Sequence, residues 1–348
     1  MHITLIDLLT SYSRSKHMGR IKAATHSASF DLSNFTFMVD PGWIATPATN
    51  PTGSLPTKIS SLIIDSYSHL PNRPDMAFLQ LWAAFNSAFH QVGLIKAAYA
   101  TPPVDAFQDE YGITSACEVF YTRLGTLYGL GTSPAPLSFY MERILKNVPD
   151  KLCSLIATNF LKSYSIKKGG LSSRYQSRSI DALMKKFKIL GSALGGSFGE
   201  AYFALTSPSE NKTAGTIDLN ILKANEPKAQ AITRSLSDEI SNLLKTGNVN
   251  VNPHNTRAVK VIVPTLALPD RIGFFVQFVL YASRNNMSHG KVSSRLNSET
   301  ANKKSYDANL FMYVVCYVLL ALLLENLNYG SNLVVNQSLM NMDDVLGI

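Results

Sequence analysis

At 348 residues the chain has room for one large domain or two ordinary ones, since domains commonly run about 100–200 residues. Its 46% hydrophobic and 10% aromatic residues exclude an intrinsically disordered chain. A formal charge of +8, with only 16% of residues charged, is a modest bias toward polyanions such as RNA, DNA or an anionic lipid surface.

Cys117, Cys153 and Cys316 are far apart and odd in number, so they form neither a disulfide framework nor a zinc pattern, and a reducing cytoplasm is expected. The first 30 residues lack the charged start, apolar centre and cleavage site of a secretory signal, although Arg14, Lys16, Arg20 and Lys22 among serines faintly resemble a transit peptide. Without secretion, the glycosylation sequons at Asn34, Asn211, Asn286 and Asn336 carry little meaning.

Residues 1–73 are rich in Ser, Thr, Pro and Gly, above all in TPATNPTGSLPT at 46–57, and read as a less regular N-terminal region of unknown role. Phe35–Val39 and Ser61–Asp65 are candidate short strands within it. From Pro74 the character changes. Phe78, Leu81, Trp82, Phe85 and Phe89 recur at three- and four-residue intervals behind a proline and an aspartate, which predicts an amphipathic helix. Helical stretches follow near 104–130, 137–165, 178–204 and 228–245, divided by turn signals at 133–136 and 167–173.

Ala258–Leu266, rich in β-branched residues, predicts a short extended segment before Pro269 and Asp270 open the next helix. The 15-residue run Leu310–Leu324 carries no charge. It falls short of the ~20 residues that span a bilayer, so it reads as a buried core helix and no membrane is expected. The lysines at 185, 186 and 188, and the pair at 303 and 304, read as solvated faces. The fold class expected is mainly α: a helical domain over 74–330, then a C-terminal tail at 331–348.

Three places carry chemistry. In DRIGFFVQFVLYASRNNMSHG, which begins at Asp270, the residues Ile272, Phe275, Phe278, Val279 and Tyr281 or Ala282 can line one buried stripe, with Gly290 placed to stop the helix. Asn285 and His289, four apart, then share a face, while Arg284 is offset by about 140°. Cleavage of RNA by its own 2′-hydroxyl needs a base, an acid and a cation to steady the phosphate. Histidine serves the first two roles near neutral pH, and the arginine fork matches phosphate oxygens, so no metal or other cofactor is required. One histidine cannot easily be acid and base in the same step; a twofold dimer would bring a second copy into a shared groove.

The second place is GGSFG at 195–199, which matches a nucleophile elbow with Ser197 as nucleophile and Asp270 and His289 following in order. Against it, the preceding chain reads as helices rather than alternating strands. A stripe of small residues, Gly191, Gly195 and Gly199, where helices pack closely is the simpler reading. It is no phosphate loop, since Gly199 precedes Glu200 rather than a lysine. The third is Asn86, an amide among Trp82, Phe85 and Phe89 that must find partners and can steady the site or a dimer. His90 on the same helix reads as a packing or hydrogen-bonding residue.

The arginine, polar residue, short spacer and histidine at Arg284-Asn285-Asn286-Met287-Ser288-His289 resemble the motif of HEPN ribonucleases. The resemblance extends through Gly290, the polar loop 291–307 and the apolar helix ending at Glu325, and LWAAFNSAFHQ at 81–91 looks like a first helix of some HEPN proteins. Arg20 and His26, with five residues between them instead of four, also fit an arginine followed closely by a histidine, but no strong apolar helix leads into or follows them. The family implies a helical bundle that dimerises and cuts RNA without metal, commonly as a toxin or antiviral-defence effector held by an antitoxin or sensor. On that basis the motif-bearing unit is 270–328, Arg284 binds phosphate, His289 moves protons, Asn285 orients the histidine, and Asn286 and Asn86 support them. The region 100–265 then holds inserted helices or a fused module. The alternatives are a non-catalytic HEPN or helical scaffold that binds RNA or protein and, third, a serine hydrolase using Ser197.

Overall fold

The computed structural model describes residues 13–25, 35–36, 38, 55–99, 109–129, 133–171, 183, 185–220, 226–251, 263–288, 296 and 301–348. The fold is mainly α, with two short antiparallel hairpins among the described residues. The chain divides into two compact units: one made of 1–147 and 284–348, the other of 148–283.

In the first unit the elements are α1 (Arg14–Thr25), α2 (Leu55–Ser68), α3 (Pro74–Ala98), α4 (Asp109–Thr122), the hairpin β1 (Leu127–Tyr128) and β2 (Ala135–Pro136), and α5 (Leu137–Lys146). The chain returns to it for α12 (Lys303–Asn326) and α13 (Asn332–Leu346). Pro74 opens α3 where its missing N–H costs nothing. Asp75 in the first turn is only 2% exposed. Its carboxylate accepts Arg73 Nε at 2.9 Å and Nη2 at 2.8 Å, the two-point pairing that makes a buried charge tolerable. Phe78, Leu81, Trp82, Phe85 and Phe89 are all fully buried. Trp82 meets Phe85 edge-on at 5.1 Å, and Phe85 meets Phe89 at 5.5 Å.

The partner for that face is α12, which packs against α3, α4 and α13. Asn302 caps it, its side-chain oxygen accepting from Ser305 N at 2.9 Å. A helix apolar all round needs protein all round. This one is long and apolar enough to cross a membrane by length and composition, yet almost its whole length is buried in the protein. Residues 81–91, on α3, and the apolar helix α12 therefore lie on packed neighbours.

Several sequence expectations meet a different structure. Ser61–Asp65 is not a strand but the middle of α2, burying Ile59, Ile63 and Ser66. Short apolar runs do not distinguish the two states, and Pro56 sits in the first turn, where proline is tolerated. The 331–348 segment is no loose tail: Ser331 caps α13, and Val334, Val335 and Met342 are fully buried against the unit. The helix expected near 104–130 is present over Asp109–Thr122 and ends before the chain turns into β1, while 104–108 lie outside the described residues. Of the extended segment expected at 258–266, residues 263–266 lack regular structure and 258–262 lie outside the described residues.

The second unit holds α6 (Asp150–Lys168), α7 (Lys188–Leu194) running through a π turn (Gly195–Gly199) into α8 (Glu200–Thr206), the hairpin β3 (Ser209–Asn211) and β4 (Thr216–Asp218), and α9 (Pro227–Thr246). It ends in α10 (Leu268–Phe274), which continues through a second π turn (Phe275–Leu280) into α11 (Tyr281–Ser288). The unit boundary falls inside α11, between Ser283 and Arg284, so the stretch 270–328 is divided between the two units. In the core, α6 packs against α9 and α8.

Candidate functional site

The helical stretch 268–288 begins with Pro269 and Asp270 in its first turn. Arg271, 7% exposed, sends Nη1 to the carbonyls of Leu244 and Lys245, each at 3.1 Å, so a cation meets the C-terminal end of α9. From Arg271 to Leu280 every residue is buried. The single buried stripe expected here is thus a fully enclosed segment. Phe274 and Phe278 close an aromatic triangle with Phe187, at 5.4–6.0 Å between ring centres. The π turn widens the helix by one residue and shifts the face that emerges beyond it.

Burial ends at α11. Ala282 and Ser283 are still enclosed, whereas Arg284, Asn285 and Met287 are half-buried. Arg284 Nη1 donates to Asn285 Oδ1 at 2.8 Å. Asn285 therefore holds the guanidinium with its carbonyl oxygen, which keeps a second lone pair, while its amide hydrogens remain as donors. The contact with His289 through which Asn285 is expected to orient the imidazole lies outside the described residues. Asn286 has helical backbone within α11. His289, Gly290 and most of the loop to 300 lie outside the described residues.

Asn86 on α3 is half-buried, its Oδ1 closed off from solvent and without a hydrogen-bond partner. Among the described residues no hydrogen bond joins it to Arg284 or Asn285. His90 bonds through Nε2 to Asp109 Oδ1 at 2.9 Å, joining α3 to α4. The lysines at 185, 186 and 188 and at 303 and 304 are exposed, and Lys303 pairs with Asp307 one turn on at 2.7 Å.

Ser197 does not sit on an elbow between strand and helix. It lies inside the π turn of a continuous helix, 5% exposed, its Oγ without a partner. The glycines around it are the close-packing stripe: a Cβ at Gly195 or Gly199 would come within 2.6 or 2.5 Å of the Tyr164 ring. That ring, on α6, also donates its hydroxyl to Glu200 at 2.6 Å, and Lys168 reaches the same carboxylate at 2.9 Å. The two hydrogen bonds hold Glu200 below the usual carboxylate range.

Two polar clusters of the first unit escaped the sequence reading. Glu325, at the end of α12 and only 12% exposed in its side chain, accepts Arg123 Nη1 at 2.5 Å and the Tyr128 hydroxyl at 2.8 Å. Burial first, and the bond to Glu325 second, push Tyr128 up to about 12. In the other, Tyr67 and Tyr317 place their hydroxyls 2.5 Å apart under the backbone of Met38. The available signal was modest: Tyr313 and Tyr317 are spaced one turn apart inside an apolar run, and buried phenols require partners.

No family model, curated protein or solved structure matches this chain.

Proposed function

We propose that the protein is a metal-independent endoribonuclease of HEPN type, acting as a toxin or antiviral-defence effector in the cytoplasm. The observation that carries the reading is the Arg284–Asn285 pair, 2.8 Å apart, where the buried helical stretch 268–288 becomes half-exposed. His289 follows in sequence, and after the loop comes the enclosed helix α12. In this reading the Arg284 fork grips the scissile phosphate, and Asn285 restricts the guanidinium to one orientation, so less freedom is lost when RNA arrives. His289 takes the proton from the 2′-hydroxyl. The His289 of a second copy gives one to the departing 5′-oxygen, leaving a 2′,3′-cyclic phosphate. RNA is drawn in by the net charge of +8, and an antitoxin or sensor would restrain the enzyme.

The test is a graded series on purified protein with total RNA as substrate. Arg284→Ala is expected to lower kcat/KM by about 100-fold or more, as loss of a group that stabilises transition-state charge does. Arg284→Lys should recover only part, because an ammonium does not reproduce the two-point grip. Asn285→Ala is expected to cost about tenfold, chiefly in KM. Equal rates across the series would reject the assignment. RNA binding without cleavage in the wild type would instead favour a non-catalytic RNA- or protein-binding scaffold, for which an arginine already bonded within its own helix is equally suitable.

A further inference from the structure

Residues 36 and 38 are held in the first unit by main-chain hydrogen bonds to side chains. Asn341 on α13, with no exposed surface, donates its Nδ2 to the Thr36 carbonyl at 2.7 Å and accepts Thr36 N–H on Oδ1 at 2.7 Å. One amide thus pairs with both polar groups of one residue, as a neighbouring strand would. Two residues on, Met38 N–H points at the phenol oxygens of Tyr317 and Tyr67, at 2.5 and 3.1 Å. Phe35 supplies the anchor. Its ring, 4% exposed, is enclosed by Tyr317, Tyr313 and Tyr67 at 5.3, 6.2 and 6.3 Å, the first and last edge-on.

We propose that this groove, built by α2, α12 and α13, is a peptide-binding site that the chain fills with its own segment around Phe35. The ligand class is an extended peptide carrying a phenylalanine, followed by a residue with a free backbone N–H and carbonyl. Main-chain bonds of this kind give affinity with little dependence on sequence, and a single ring pocket supplies selectivity. The receptor groups require an occupant. An empty groove would strand the Asn341 amide in the core, and a buried unpaired amide is among the more costly defects a fold can carry. Burial pushes Tyr67 up to about 12 and holds Tyr317 well above its ordinary value, so both phenols stay neutral hydroxyls through neutral and mildly alkaline pH. None of this depends on the nuclease reading.

The experiment uses the full-length chain and a fluorescein-labelled peptide of sequence Leu-Ser-Asn-Phe-Thr-Phe-Met-Val-Asp, copied from 32–40, with binding read by anisotropy. Wild type should bind weakly, its groove being filled. Phe35→Ala, which removes only the internal anchor, should bind at least about tenfold more tightly by lifting that competition. A peptide with alanine for its first phenylalanine, the one copied from Phe35, or N-methylated at its threonine, should not bind Phe35→Ala. Thr36→Pro, which deletes one backbone donor and leaves every groove residue intact, provides the same readout if Phe35→Ala does not fold. Folded variants that bind no better than wild type would overturn the proposal. So would failure of both variants to fold, because the segment would then be inseparable core rather than an exchangeable ligand.

Discussion

Glu325 illustrates how much one buried carboxylate can require of its neighbours. With Arg123 on one side and Tyr128 on the other, its charge is tolerated at the end of an enclosed helix. Arg123→Met is expected to lower stability by about 2 kcal/mol in urea unfolding, since a mostly buried charge loses its partner. Adding Glu325→Gln should recover part of that loss. The tyrosines set a second expectation. Tyr67 and Tyr128 titrate near 12 in the folded protein against an ordinary 10.0. A group that holds its proton more tightly when folded adds stability that is complete below the unfolded value and is lost as pH rises through the folded one. Urea midpoints should therefore be flat up to about pH 9.5 and fall between about pH 10 and 12. Tyr67→Phe should flatten part of that fall.

At the level of elements, the stretch 188–206 shows what a sequence can and cannot disclose. The glycine spacing was enough to suggest close packing, and Tyr164 occupies the space that two absent Cβ atoms leave. The π turn was not legible, because an extra residue in a helical turn leaves no mark on apolar periodicity. Gly195→Ala and Gly199→Ala should each cost about 1–3 kcal/mol through overpacking. Gly196→Ala, which meets nothing within 4 Å, should be neutral or mildly stabilising. Thermal unfolding of the three variants checks this directly. Helix α3 was readable because its proline, aspartate and aromatic spacing agree. Ser61–Asp65 was not, because five residues of mixed character fit either periodicity. The terminal helix α13 was missed because its apolar positions are interrupted by Asn336, Gln337 and Asn341; Asn341 is the residue that reads the backbone of Thr36.

Across the whole molecule, the first unit is assembled from two separated stretches of chain, with 148–283 between them as a second unit. The sequence suggested an inserted module near 100–265, but the long helix 137–165 that it implied is in fact two helices in different units, α5 and α6. Boundaries of this kind depend on contacts remote in sequence and leave little local trace. The core of the first unit rests on α12, so Leu320→Ala, at a fully buried position, should cost about 2–5 kcal/mol in denaturant unfolding. The candidate site was legible to the extent that an arginine and an asparagine emerge together from a buried helix. That they bond to each other was not, since adjacent residues on a helix usually point apart.

The most direct test of the proposed RNA cleavage is incubation of total RNA and tRNA in EDTA with wild type and with His289→Ala, with the product ends identified. The expected result is cutting by wild type alone, leaving 2′,3′-cyclic phosphates, while His289→Ala keeps the wild-type unfolding midpoint. Equal cutting by both proteins, or a wild type that neither binds nor cuts RNA, would contradict it.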